Sequence, residues 1–114
     1  MTPSTDRGGS LGYNAALVLQ ALVQGHRYGF EMMRAAHLPS GTVYPLLRRL
    51  EAGGMVESRW EDPEPARAEG RPPRRYYDAT PAGRAALAEA RERLLAQHAL
   101  LAGARPGPGG GGGQ

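Results

Sequence analysis

The side chains best suited to chemistry in this chain are its guanidinium groups. All 14 basic residues are arginine, and the formal net charge is +3. Arginine binds phosphate or guanine through two parallel hydrogen bonds. A GC-rich genome accounts for the total count, so placement is the more informative property. Arg48 and Arg49 are adjacent, with the hydroxyls of Ser40, Thr42 and Tyr44 just upstream. Arg71, Arg74 and Arg75 form a second cluster, and carboxylates gather apart from both at Glu61, Asp62 and Glu64.

Other chemistry finds little support. His26, His37 and His98 fall in separate segments, without the spacing of metal ligands. The absence of cysteine excludes disulfides, thiolate nucleophiles and cysteine-ligated zinc. There is no nucleophile elbow and no zincin motif. No catalytic residue, metal or cofactor is therefore expected. No apolar run approaches the ~20 residues of a membrane span, and Met1–Ser10 lacks the apolar core of a secretory signal. A cytoplasmic protein without a membrane partner is the expectation.

The arginine clusters need elements to position them. From about Ser10 to Gln24 the chain is nearly all apolar and rich in Ala and Leu, which predicts a buried helix stopped by Gly25. A helix that is apolar all round is covered on more than one side, and in so small a domain a second subunit is the expected cover. A second helix is expected over about Tyr28 to Ala36, ended by Pro39. Ser40 is the candidate cap of a third helix, with Thr42 as the alternative that would leave Pro45 in the first turn. Val43, Leu46, Leu47 and Leu50 form its apolar stripe, and Gly53-Gly54 ends it. Thr42, Tyr44, Pro45, Arg48 and Arg49 then lie on the opposite side. Two helices joined through His37 to Ser40 have helix-turn-helix spacing.

Residues 55–60 read as a strand and residues 74–79 as its return, with Val56, Tyr77 and Ala79 inward. The Pro-, Glu-, Gly- and Arg-rich stretch 61–73 between them reads as a loop. Thr80-Pro81 opens a last helix reaching about Ala102. Its seam runs through Leu87, Ala90, Leu94 and Leu101, with Gln97 interrupting, and predicts contact with a second copy. The expected fold is mainly α with a small β-hairpin (α+β), a winged helix-turn-helix with a long C-terminal dimerisation helix. The expected divisions are a disordered start over 1–9, a DNA-binding unit over 10–79, a dimerisation helix over 80–102, and a disordered Gly/Pro-rich tail over 103–114. Roughly 93 residues remain for the core, few enough that a partner subunit would help stability.

A helix fits the major groove of duplex DNA, and its exposed face reads base edges. Each residue has a plainer alternative. Arg48 and Arg49 could solvate a helix face, Tyr44 could be core, and Arg74 and Arg75 could pair with Glu57 or Glu61. The joint placement of both clusters on the two elements that a winged helix presents to DNA favours the nucleic-acid reading. A protein-binding winged helix and an enzyme are the weaker rivals.

Several segments resemble the PadR family of transcriptional regulators. They are Leu11-Gly12-Tyr13, His26-Arg27-Tyr28-Gly29-Phe30-Glu31, the run Ser40 to Glu51, Gly53 to Trp60, Gly70 to Tyr77, and Thr80-Pro81-Ala82-Gly83. The resemblance spans about residues 10–100 and is to the short subfamily. It implies a homodimeric repressor on an inverted-repeat operator, released by a small molecule. It implies that Ser40, Thr42, Tyr44, Arg48, Arg71 and Arg74 face DNA, and Arg49 and Arg75 join them from the clusters. It implies that the first and last helices build the dimer, so Leu11, Tyr13, Leu17, Leu87, Leu94 and Leu101 are the expected contacts. Tyr13 and Trp60 are the expected lining of a pocket for a small hydrophobic or aromatic effector. The stretch between Glu31 and Ser40 is shorter than the family pattern.

Overall fold

The first helix, α1 (Tyr13–Val23), ends where Gly25 takes a φ of 108°, with the His26 amide donating to the Ala21 carbonyl. Glycine reaches that left-handed geometry without the steric cost of a Cβ. The computed structural model describes residues 11–103. Expectations for residues 1–9, and for the tail beyond Gly103, lie outside the described residues.

Helix α1 is followed by α2 (Gly29–Ala36) and α3 (Ser40–Ala52). An antiparallel hairpin comes next, β1 (Val56–Trp60) and β2 (Arg75–Ala79), with the short α4 (Pro63–Ala68) at its tip, and the long α5 (Pro81–Leu101) closes the chain. The register pairs Val56 with Ala79 and Trp60 with Arg75. This is the expected class, mainly helical with a two-stranded wing.

The core gathers Val18 and Leu19 of α1, Met32 of α2, Val43 and Leu47 of α3, and Val56 of β1, all fully buried. The α3 stripe of Val43, Leu46, Leu47 and Leu50 faces inward as its spacing requires. Val56 and Tyr77 are buried on the inner side of the hairpin, as alternation predicts. Burial pushes the Tyr77 phenol above its ordinary pKa.

Three expectations need correction, and a fourth is completed. The stretch 61–73 is not all loop. Asp62 caps α4 by accepting from the Glu64 amide at 3.2 Å, and Pro63 takes the first helical position, where its missing N–H costs nothing. Ser40 is not the cap of α3. Pro39 holds that place in an extended conformation, and its carbonyl accepts from the Thr42 and Val43 amides, so Ser40 is already helical. Pro45 therefore sits six residues into α3, where it withholds the amide that Gly41 would otherwise receive. Helix α1 also finds cover within its own chain, because α2, α3, α5 and β2 all pack on it. Finally, Leu87 is buried in its own protomer with Ala90, and Leu94 packs half-buried beside them. The first half of the α5 seam covers this chain's own α1, so Leu87 is withdrawn from the expected contacts with a second copy.

The link from α2 to α3 turns at His37, whose φ is 58°. A non-glycine residue carries a steric cost there that glycine avoids. His37→Gly is expected to stabilise the protein by about 0.5 kcal/mol, the relieved strain less the added entropy of an unfolded glycine. Thermal melting checks this, and a lower Tm for the variant would contradict it.

Candidate nucleic-acid interface

The outer side of α3 follows from its inner stripe. With Val43, Leu46, Leu47 and Leu50 buried, Ser40, Tyr44 and Arg48 fall four residues apart in an exposed row. Gly41, half-buried Pro45 and exposed Arg49 run beside them, and Thr42 is half-buried. Tyr44 is 39% exposed, so it is neither core nor free of the protein. Among the described residues neither Arg48 nor Arg49 forms an ion pair.

Glu51 explains part of this. It lies three residues after Arg48, a spacing at which helical charges commonly pair. Its carboxylate instead accepts from the Ser58 hydroxyl at 2.7 Å and from Arg75 at 3.4 Å. The hairpin draws the acid away and leaves the α3 guanidiniums uncompensated.

The wing differs from expectation. Arg71 does not reach outward. Its guanidinium meets Glu61 in two bonds of 2.7 and 2.8 Å and Glu69 in a third of 2.7 Å, and its side chain is only 19% exposed. Paired charges at this distance satisfy one another, so Arg71 is the internal tie of the wing tip rather than a free cation. Glu61, one of the acids that looked separate in sequence, is the partner of Arg71, whereas Asp62 caps α4 and Glu64 pairs with Arg67. Arg74 lies half-buried, 4.2 Å above the Tyr28 ring, with its backbone amide donating to Glu61. Arg75 bonds Ser58 and Glu51 and lies 5.6 Å from the Trp60 ring, so it braces the wing against α3. Arg59, missed in sequence, is exposed with no ion pair among the described residues. Period-two alternation from buried Val56 does not by itself separate it from Glu57.

The segment before α2 bolts this wing to the body. The Tyr77 amide donates to the Arg27 carbonyl at 2.8 Å, Arg27 pairs with Asp78 at 2.6 Å, and Tyr28 meets Tyr76 edge to face.

Hydrogen bonds from Arg71, backed by the Arg74 amide, hold Glu61 well below the usual carboxylate range, at about 2. A depressed folded-state pKa stabilises the fold above the unfolded value and loses that contribution as pH falls. The wing tip is expected to loosen between pH 4.5, the ordinary value, and about 2. Trp60 is the single tryptophan and stands at the end of β1, so its fluorescence reports the change. Glu61→Gln should abolish that acid transition, and a persisting transition would assign it to another carboxylate.

The remaining predicted residues divide. Leu11 is half-buried against the core and Leu17 is half-buried on α1, whereas Leu101 is 88% exposed. Tyr13 and Trp60 are each 63% exposed, so neither is enclosed within the protomer. Among the described residues no group of His, Asp or Glu could hold a metal ion, and no helix is long and apolar enough to cross a membrane.

Comparison with known proteins places this arrangement. The model of the PadR-like family of transcriptional regulators matches residues 18–89. Transcriptional regulator Rv3488 of Mycobacterium tuberculosis is 54% identical over 54 residues, which span 47% of this chain and 45% of that protein. The match thus covers less than half of that relative's length. A PadR-family regulator from Clostridium difficile has a similar fold, with a TM-score of 0.65 and 24% identity over 79% of this chain and 97% of that one. A homodimeric winged helix-turn-helix DNA-binding domain from Mycobacterium bovis aligns with a TM-score of 0.57 and 22% identity, over 92% and 87% of the two chains. The family and its relatives are transcriptional regulators, not enzymes. With its winged helix and the family match from within α1 to the first half of α5, the chain belongs to the PadR-like family of transcriptional regulators.

Proposed function

We propose that this protein is a repressor that binds an inverted-repeat operator as a homodimer. Helix α3 is the reading element, with Ser40, Thr42, Tyr44, Arg48 and Arg49 entering the major groove. The observation that carries this reading is the exposed pair Arg48 and Arg49, without carboxylate partners among the described residues, on the side of α3 opposite its core stripe. Cations so placed gain phosphate or guanine contacts without first breaking an internal pair. On the wing, Arg59 and Arg74 supply backbone contacts, Arg75 sets the wing against α3, and Arg71 keeps the tip folded.

A second copy is supported by the far half of α5. Leu95, Leu100 and Leu101 are 61%, 66% and 88% exposed, and Tyr13 at the start of α1 is also exposed. Apolar surface left to water marks a protein interface when it is contiguous, and a second copy laid along the end of α5 would join these side chains into one patch. The dimer joins residues 80–102 of each copy and leaves residues 10–79 to bind DNA. An aromatic or hydrophobic effector would be met by the exposed Tyr13 and Trp60, and would act by changing the spacing of the two α3 helices. The protein works in the cytoplasm, where its DNA is.

Protection mapping on DNA upstream of its own gene, at two salt concentrations, tests this. Two protected half-sites about 34–36 Å apart are expected, with affinity falling steeply as salt rises. Absence of protection at low salt would leave only a protein-binding winged helix. Leu95→Glu with Leu101→Glu should give a monomer by light scattering and lose the paired footprint. A double variant that remains dimeric would move the interface elsewhere.

A further inference from the structure

Gly29 is the first residue of α2, and its backbone is ordinarily helical, with no left-handed φ to call for glycine. Alanine would serve helix formation better at such a place. The reason for glycine is space. A Cβ built on Gly29 would lie 2.5 Å from the Tyr44 hydroxyl oxygen and 2.6 Å from Cζ of its ring, closer than carbon atoms approach. The bare Cα of Gly29 is therefore the floor on which the Tyr44 ring rests. That contact fixes the direction of the middle member of the exposed α3 row, between Ser40 and Arg48.

We propose that Gly29 is a positioning residue for DNA recognition, which holds the Tyr44 phenol in its reading orientation by offering no side chain beneath it. The inference rests on the reading of α3 as the recognition helix. A tyrosine packed on one side and open on the other reaches DNA in a single pose, so little rotamer freedom remains to be lost on binding. A methyl group at position 29 tips the ring and leaves the rest of α3 in place.

The test is a double-mutant cycle on the full chain, using a duplex recovered by the wild-type protein from a random-sequence library. Tyr44→Ala should weaken binding by roughly tenfold, the scale of one lost base contact. Gly29→Ala should weaken it comparably. In the Tyr44→Ala background, Gly29→Ala should leave the affinity unchanged and should not lower the Tm, because the ring that it displaces is gone. Additive losses, or wild-type affinity in Gly29→Ala, would overturn the proposal while leaving α3 as the reading helix. Wild-type affinity in Tyr44→Ala would overturn it together with the role given to Tyr44. If Gly29→Ala alone does not fold, the double variant still decides, since a folded protein with a Tm no lower than that of Tyr44→Ala supports the seat and an unfolded one refutes it.

Discussion

Arg48→Ala is expected to weaken operator binding by about 1–3 kcal/mol, roughly 5- to 150-fold, while leaving Tm unchanged. The argument is one of compensation. Arg48 is exposed and has no ion pair among the described residues, so its removal leaves no orphaned acid in the free protein. Surface changes of that kind move stability by less than about 0.5 kcal/mol. The whole effect should therefore appear in the complex. Salt dependence separates two modes. If Arg48 reads a base, the slope of affinity against salt stays the same and discrimination at one position relaxes. If it meets phosphate, the slope falls by about one unit and sequence preference is kept. Arg71→Ala is the instructive contrast. It should lower Tm, because Glu61 and Glu69 lose their partner, yet change the salt slope little. Full-strength binding by Arg48→Ala would remove this residue from the interface.

Gly83→Ala is expected to destabilise the protein by about 3 kcal/mol, a loss of more than 10 °C in a domain of this size. In an open helix the same change would stabilise by up to about 1 kcal/mol, so the sign is diagnostic. Gly83 is buried in the first turn of α5, and a Cβ there would land on the Met55 carbonyl oxygen, 3.0 Å from the carbonyl carbon. The obstacle is backbone, which cannot swing aside as a side-chain tip can. The same few atoms already hold a knot. The Thr80 amide donates to the Met55 carbonyl, the Thr80 hydroxyl donates to the Gly54 carbonyl at 2.7 Å, and that hydroxyl accepts from the Gly83 amide. Thermal melting checks the prediction, and a raised Tm would show that α5 does not approach Met55 so closely.

Much of this architecture could be read in the chain, and the failures share a cause. Periodicity located α3 and its inner stripe because burial of a helix face is a local, repeating demand. Thr80-Pro81 marked α5 because capping is local too, and the Thr80 side chain does accept from the Gly83 amide at 3.0 Å. The outer row of α3 followed from the inner one. What stayed hidden was pairing across the sequence. Glu61 and Arg71 are ten residues apart, Glu51 and Arg75 twenty-four, and nothing in their spacing says that they meet. Counting arginines near the wing thus overstated its free charge. Leu87 failed in a related way, since a seam of correct period does not say which body it faces. The α4 turn was missed because proline-rich composition outweighed the Asp62-Pro63 start signal. Gly29 carried a faint signal, a glycine where a helix begins and no turn is made.

The knot at Thr80 has a mechanical consequence. It ties the base of α5 to the residues joining α3 with β1, so the long helix and the reading helix steer as one piece, like a tiller and its rudder. Helix α5 has 21 residues and so extends about 32 Å, and a tilt of ~10° at its base corresponds to a sweep on the order of 5 Å at its far end. On the proposed reading of α3, a small molecule wedged far from any base pair would need only to nudge that handle to turn the rudder.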